Sequence, residues 1–326
     1  MKGVFIIKNY DIAIIGAGPI GLFSSYFAEL HGLRAALFES LTDIGGQPEM
    51  LYPFKKILDI PVFNEIKASE LIKHLRNNLT DKTDIITNHK VEDVEKEDNY
   101  FIIDHEFKVR SVIIATGNGA FKPKAFPIKA SPAEKKHIHY FFKDSHIFEN
   151  KNIGIFGGGD TALDWAQELE NIANVTLIHR RENFRGMESS VEKLRSNNQV
   201  VFKTPYLPKT MELINDQLNI GLKKVGTKDG KLENMTFDHI LVAYGFRANN
   251  RFVKKWGVNL ENGLISVNRA MQTNIDGIYA IGDAVGYEGR VPIIGIGFGE
   301  AQIAINKIMH ELFPEKSLTI HSTSIN

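Results

Sequence analysis

Asp11-Ile12-Ala13-Ile14-Ile15-Gly16-Ala17-Gly18-Pro19-Ile20-Gly21 opens the first structural unit of the chain. The run from Ile12 to Ile15 is continuously apolar, as in strands buried on both faces of a parallel sheet. A glycine loop follows, then a helical stretch from Pro19 to His31 that stops before Gly32, a suitable C-terminal cap. Arg34 to Phe38 form a second apolar strand, and Glu39 stands at its end. Glycines at 16, 18 and 21 allow a tight turn, close approach of a pyrophosphate to the backbone, and close helix-on-strand packing. The helix start, from Pro19 on, then offers free N–H groups to phosphate. Glu39, 23 residues after Gly16, is placed to accept hydrogen bonds from adenosine ribose hydroxyls.

The unit recurs 141 residues later. Ile153 to Phe156 read as a strand, Gly157-Gly158-Gly159-Asp160-Thr161-Ala162 as a glycine loop, residues 160 to 171 as a helix, and Val175 to Ile178 as the next strand. The residue 23 after Gly157 is not an acid but Arg180, within His179-Arg180-Arg181, with Arg185 close behind. A carboxylate there would repel a 2′-phosphate, whereas guanidinium groups bind it through charge-assisted, often bidentate bonds. The second loop therefore points to NADP(H). The economical pairing for two such sites is a tightly held FAD and an exchangeable NADPH.

Between and after these loops the pattern is that of an α/β chain. Residues 68 to 79 carry Leu71, Ile72, Leu75 and Leu79 on one helical face. Residues 85 to 114 and 200 to 245 read as short strands with turn signals between them. Two apolar strands end alike, in Ala115-Thr116-Gly117 and in Ala243-Tyr244-Gly245, where a chain turns sharply or meets a ligand. These paired connections are natural hinges between two domains. Ile278 to Ile281 deliver Gly282-Asp283, whose acid can accept a bond from a ribityl hydroxyl. The segment Gly295-Ile296-Gly297-Phe298-Gly299 opens a last helix expected over Gly299 to Phe313. His137-Ile138-His139 reads as surface rather than metal site, and Lys122, Lys124, Lys129, Lys135 and Lys136 as a solvated face.

Bulk properties narrow the function classes. The chain has 326 residues, enough for about two domains. Lys plus Arg and Asp plus Glu number 39 each, which gives no general attraction to nucleic acid or anionic membrane. No run approaches the ~20 apolar residues of a membrane helix. Met1 to Ile7 is basic and apolar, but Asp11 breaks the run and no small-residue cleavage site precedes the glycine loop, so a cytoplasmic location is expected. There is no cysteine, which excludes disulfides, thiolate metal ligation and any redox-active Cys pair.

Together these residues resemble the thioredoxin-reductase-like ferredoxin (or flavodoxin)–NADP reductases. The most specific parts are Gly45-Gly46-Gln47 with Leu51-Tyr52-Pro53, the loop Gly157 to Ala162 with His179-Arg180-Arg181, Ala280-Ile281-Gly282-Asp283, and the terminal His321-Ser322-Thr323-Ser324. The resemblance implies two doubly wound Rossmann-like domains, with the NADPH domain (117–243) inserted into an FAD domain (1–116 and 244–326). It implies a homodimer in which Tyr52 stacks on one flavin face and His321, from the other subunit, covers the second. Ser322 and Thr323 of the same tail join the flavin site. The flavin set is completed by Gly16, Gly18, Pro19, Gly21, Glu39, Gln47, Thr116, Gly117 and Asp283. The NADPH set is Gly157, Gly159, Asp160, Thr161, His179, Arg180, Arg181 and Arg185. Ferredoxin or flavodoxin is the expected electron acceptor. Phe54 departs from the family, which has an acid after Tyr-Pro, and Asp59-Ile60-Pro61-Val62 stands where the family has Asp-Val-x-Gly, without the glycine.

Three other activities share parts of this pattern. Thioredoxin reductase needs the Cys pair that this chain lacks. Reductases of small-molecule disulfides carry a Cys in the first glycine loop, where Ile20 stands here. An NADPH sensor without turnover would keep both nucleotide loops but pass no electrons to an acceptor.

Overall fold

The computed structural model describes residues 7–119, 122–227, 230–247 and 250–315. His321, Ser322 and Thr323 lie outside them. The chain forms two compact units: Met1–Glu49, Lys56–Phe121 and Ala248–Asn326 make the first, Met50–Lys55 and Lys122–Arg247 the second.

The first unit starts with β1 (Lys8–Ile15), α1 (Pro19–Leu30) and β2 (Ala35–Phe38). Gly21 explains how closely α1 settles on the strand end: a Cβ there would lie 1.8 Å from the Gly16 carbonyl oxygen, so every other residue would push the helix away. Next come the short α2 (Gly46–Met50), then α3 (Ala68–Asn77), which buries Leu71, Ile72 and Leu75. The strands β3 (Thr83–Ile86), β4 (Val94–Glu97), β5 (Tyr100–Ile103) and β6 (Phe107–Ile114) follow.

The second unit holds β7 (Ile138–His139), β8 (Asn152–Gly157), α4 (Asp160–Leu169), β9 (Asn174–Ile178), α5 (Glu188–Ser196) and β10 (Val200–Lys203). An antiparallel trio, β11 (Tyr206–Ile214), β12 (Gln217–Lys224) and β13 (Leu232–Phe237), precedes β14 (His239–Ala243). Asn215 and Asp216 form the β11–β12 turn with φ of 49° and 61°, the left-handed conformation that asparagine and aspartate tolerate best. The five-stranded sheet runs in the order β7-β14-β8-β9-β10, all parallel. Ile153, Ile155, Leu177 and Leu241 belong to one core, with Leu163 and Trp165 of α4 and Leu194 of α5. Phe156, Ile178, Ile240 and Val242 belong to a second, with Leu218, Ile220, Leu222 and Phe237 of the antiparallel sheet. The absent side chain of Gly154 admits the Phe237 ring, which a Cβ would meet at 3.2 Å.

The segment Met50–Lys55 packs with this second unit. The Trp165 indole Nε1 donates to the Leu51 carbonyl at 3.2 Å, Lys55 pairs with Asp164 at 3.1 Å, and the Phe54 and Phe142 rings stack at 5.6 Å. Phe54, the departure from the family, is therefore an apolar anchor against a core that an acid could not join.

The chain then returns to the first unit through β15 (Ile278–Ala280) and α6 (Ile294–Leu312). Among the described residues this unit has a seven-stranded sheet in the order β3-β2-β1-β6-β5-β4, with β15 also on β6. Strand β6 changes partner along its length: Phe107 to Val109 face β5, Val112 to Ile114 face β15. β1 lies between parallel β2 and β6, which is why Ile12 to Ile15 must be apolar throughout.

Two local expectations are corrected. The last helix begins at Ile294 rather than Gly299, so Gly295 to Gly299 are helical. The reason is packing: a Cβ on Gly297 would stand 2.6 Å from Ile20 Cδ1, so α6 keeps a bare face against α1. His137 and His139 are not surface residues. His137 is 9% exposed, and both rings cluster with His239, which lies beside them on β14. Helix α5 has no counterpart among the sequence patterns above. Its sequence buries only Val191 and Leu194, too little for a periodic signal.

Candidate functional site

In the first unit, register brings three strand ends together. Ile15 of β1 stands opposite Ile114 of β6, and Ile114 opposite Ala280 of β15. The residues after them, Gly16 to Gly18, Ala115 to Gly117, and Ile281 to Asp283, therefore emerge side by side at the carboxyl edge of the sheet. Crevices at such edges are where nucleotides bind.

Gly16 has φ of +108°, and a Cβ on it would lie 2.6 Å from the Ala115 carbonyl oxygen. Gly18 is the N-cap of α1 and offers no side chain to its first N–H groups, and Pro19 follows as the first helical residue. Those free N–H groups give the helix end its affinity for anions. A second glycine pair closes on this loop. The Gly45 N–H donates to the Ala17 carbonyl at 2.8 Å, and Gly46, at φ +60°, approaches Gly18. Gln47 follows, half-buried in the first turn of α2.

Glu39 is 7% exposed and joined to the loop: Oε2 accepts from Ala17 N at 3.1 Å and Oε1 from Leu41 N at 2.9 Å. A carboxylate fixed by two backbone donors keeps further lone pairs for hydroxyl donors. Thr116 and Gly117 are held by a residue the sequence did not reveal. Buried Asn250 contacts the Thr116 hydroxyl at 3.1 Å through Oδ1 and donates from Nδ2 to the Gly117 carbonyl at 3.0 Å. Asp283 is half-exposed in a 3-10 turn, and Arg290 Nη2 donates to its Oδ1 at 3.2 Å.

In the second unit the same construction recurs with a different rim. A Cβ on Gly157 would meet the Ala243 carbonyl oxygen at 2.6 Å. Gly159, N-cap of α4, has open space where a Cβ would be, and Thr161 lies half-buried in the first turn. Asp160 Oδ1 accepts from Met187 N at 3.0 Å, and Arg185 N donates to the Gly158 carbonyl at 2.6 Å, so residues 185 to 187 are tied to the loop. His179 lies over Gly158, where a Cβ would come within 2.4 Å of its ring. Burial, then the charges of Arg180, Arg181 and Arg185, push its pKa down and keep the imidazole neutral at pH 7. Its Nε2 is buried without a hydrogen-bond partner. Arg180, Arg181 and Arg185 are exposed, and among the described residues none is in a salt bridge. Among the described residues this cationic rim at the end of β9 has no acidic partner.

Tyr52 belongs to the segment that packs with α4. Lys55 N donates to its carbonyl at 3.0 Å, and the Lys55 ammonium stands 5.8 Å from its ring centroid. The described residues contain no group of three or more His, Asp or Glu side chains able to hold a metal ion. No helix among them is long and apolar enough to cross a membrane.

The geometry fits two dinucleotides. Each loop is a cradle that a Cβ would obstruct, each opens an uncapped helix, and the rims carry opposite charge. Residues 10–307 match the model of the pyridine nucleotide-disulphide oxidoreductase family. The chain is 67% identical, over 312 residues covering 96% of it and 100% of the relative, to a ferredoxin–NADP reductase of Lactobacillus delbrueckii subsp. bulgaricus. A ferredoxin–NADP reductase of Lactobacillus acidophilus is 60% identical over 94% of this chain and 98% of its own. Among solved structures, Lactococcus lactis thioredoxin reductase in its FR conformation superposes with a TM-score of 0.77 at 25% identity, covering 94% of this chain and 100% of that one. The T. acidophilum thioredoxin reductase gives a TM-score of 0.78 at 21% identity, over 94% of this chain and 99% of that one.

Proposed function

The chain belongs to the pyridine nucleotide-disulphide oxidoreductase family, within its ferredoxin–NADP reductases, and from that premise we propose that it passes electrons from NADPH through FAD to ferredoxin or flavodoxin. The observation that carries the reading is the pair of like-built loops with unlike rims. At the same offset from each first glycine stands Glu39 in one unit and Arg180 in the other.

Bound FAD would accept a hydride and give up electrons singly, so the protein needs no nucleophile or general base of its own. The residues of the first unit hold the flavin nucleotide. Gly16, Gly18 and Gly21 clear space for its pyrophosphate, the α1 N-terminus attracts the phosphates, and Pro19 presets the first helical turn. Glu39 accepts from ribose hydroxyls, Asp283 from a ribityl hydroxyl. Gln47, Thr116 and Gly117 supply polar edges beside them. In the second unit, Gly157 and Gly159 with the first turn of α4, Asp160 and Thr161 included, receive the NADPH pyrophosphate. Arg180, Arg181 and Arg185 recognise its 2′-phosphate, and neutral His179 closes the back of the loop.

The same reading makes the protein a cytoplasmic homodimer. Tyr52 covers one flavin face. His321, Ser322 and Thr323, supplied by the second subunit, cover the other. The absence of cysteine separates this protein from the thioredoxin reductases it resembles in fold, because no redox-active pair exists to carry electrons to a disulfide.

The test is spectroscopic. The purified protein should be yellow with one FAD per chain, and NADPH should bleach it without oxygen far faster than NADH does. A colourless protein that stays apo when FAD is added would overturn the reading.

A further inference from the structure

Behind Asp283 lies a group of charges that neither glycine loop uses. Glu300, on α6, is 2% exposed. Its Oε2 accepts from Gly282 N at 2.7 Å, and its Oε1 accepts from the Tyr287 hydroxyl at 2.7 Å and from Arg290 Nε at 2.9 Å. The Arg290 side chain is 6% exposed, and its Nη2 reaches on to Asp283 Oδ1. Two full charges have thus been taken out of water on the inner side of a turn whose outer side, at Asp283, is half-exposed.

Such a cluster is a poor way to stabilise a fold. The desolvation of a buried ion pair cancels most of its attraction, and apolar residues of equal volume do as well or better. What ions of this kind supply is direction. Every bond here ends on the Gly282-Asp283 turn or on a group that holds it. Glu300 fixes the Gly282 N–H, whose residue has φ of +69° and is held in that conformation rather than left to choose it. Arg290 takes one oxygen of Asp283 and leaves the other for an outside donor. Glu300 in turn fixes the rotation of Arg290, and Tyr287 completes the lone pairs of Glu300. Burial and the bond to Glu300 push the Tyr287 pKa up to about 12, so it remains a donor at any working pH.

We propose that Arg290, Glu300 and Tyr287 are positioning residues for the flavin: they orient the Asp283 carboxylate and the Gly282 backbone toward the ribityl chain. This rests on the reading of Asp283 as a flavin anchor. Arg290 cannot be replaced by lysine without loss, because its planar fork reaches Glu300 from Nε and Asp283 from Nη2 in one fixed geometry, whereas an ammonium on a flexible stem has all its donors on one atom and fixes neither direction.

The two ideas separate in one double-mutant cycle read as FAD affinity of the apoprotein, by quenching of flavin fluorescence. Asp283→Asn should weaken FAD binding about tenfold, and Arg290→Met and Glu300→Gln by a similar factor. Arg290→Lys should recover only part. Added to Asp283→Asn, Arg290→Met should cost little more, because its effect passes through the lost carboxylate. Fully multiplied losses would overturn the positioning role, since a merely structural defect does not depend on what stands at 283. Wild-type affinity in both Arg290→Met and Glu300→Gln would do the same. If Asp283→Asn itself binds FAD normally, the flavin-anchor reading fails first. Should Arg290→Met not fold, Tyr287→Phe and Glu300→Gln complete the cycle with Asp283→Asn.

Discussion

Gly46 presses on Gly18: a Cβ added to Gly46 would stand 3.0 Å from the Gly18 Cα. Two loops from different parts of the chain thus meet backbone to backbone at the start of α1. Gly46→Ala should add left-handed strain of about 1 kcal/mol and push that contact apart. FAD affinity should fall about tenfold, measured by reconstitution of the apoprotein. Gly32→Ala is the control, because Gly32 also has positive φ (+76°) but open space around it. It should lose stability and keep FAD. Equal FAD loss in both variants would show that strain, not the contact, is responsible.

The cationic rim predicts cofactor choice. Arg180→Ala combined with Arg181→Ala removes two charge-assisted contacts worth ~1.5–3 kcal/mol each when shielded. These side chains are exposed, so the lower end applies, and the NADPH Michaelis constant should rise roughly ten- to a hundredfold. The constant for NADH should barely change. Steady-state kinetics with both cofactors decides, and an equal rise for both would remove these arginines from 2′-phosphate recognition.

The histidine cluster predicts acid sensitivity. His139 Nε2 lies 3.2 Å from His239 Nδ1, and burial, then the neighbouring His239 and His137, push the His139 pKa down to about 4. In the unfolded chain the group titrates near 6.5. Above that pH the ring is neutral in both states. As pH falls toward 4 the unfolded chain gains a proton the folded one refuses, so stability drops with acid. The loss attributable to His139 should be about 2 kcal/mol after discounting for partial exposure. His139→Gln should flatten the curve of stability against pH between 6.5 and 4. An unchanged slope, by denaturant unfolding, would assign the acid loss elsewhere.

The terminal segment carries a prediction of its own. Deleting residues 315–326 should leave FAD bound, because its anchors lie between Gly16 and Asp283. Flavin fluorescence should change, oxidation by oxygen should quicken and ferredoxin reduction should slow. His321→Ala should show a milder form. If spectrum, oxygen reactivity and ferredoxin rate stay as they were, His321 has no place at the flavin.

Local chemistry was legible in the sequence where it is dense. The two glycine loops, Glu39, Arg180 and the Gly282-Asp283 turn are each recognisable within a few residues, and the structure places them after the ends of strands. Contacts between distant residues were not legible. Nothing near His139 announces His239, and nothing near Arg290 announces that Glu300 lies behind Asp283, because helix α6 brings that carboxylate back across the turn. Gly295 to Gly299 looked like a loop because glycine disfavours helix. The bare face that Ile20 requires is visible only once α1 and α6 are packed. Asn250 is a similar case, a lone asparagine whose role appears when Thr116 and Gly117 arrive beside it.

The most direct measurement of the central claim sets two acceptors in competition. NADPH, the purified flavoprotein and either ferredoxin or a disulfide substrate are mixed without oxygen, and acceptor reduction is followed optically. Rapid NADPH-dependent reduction of ferredoxin with none of the disulfide is the predicted result. Disulfide reduction at a comparable rate, or no transfer to ferredoxin from a flavin already reduced by NADPH, would contradict it.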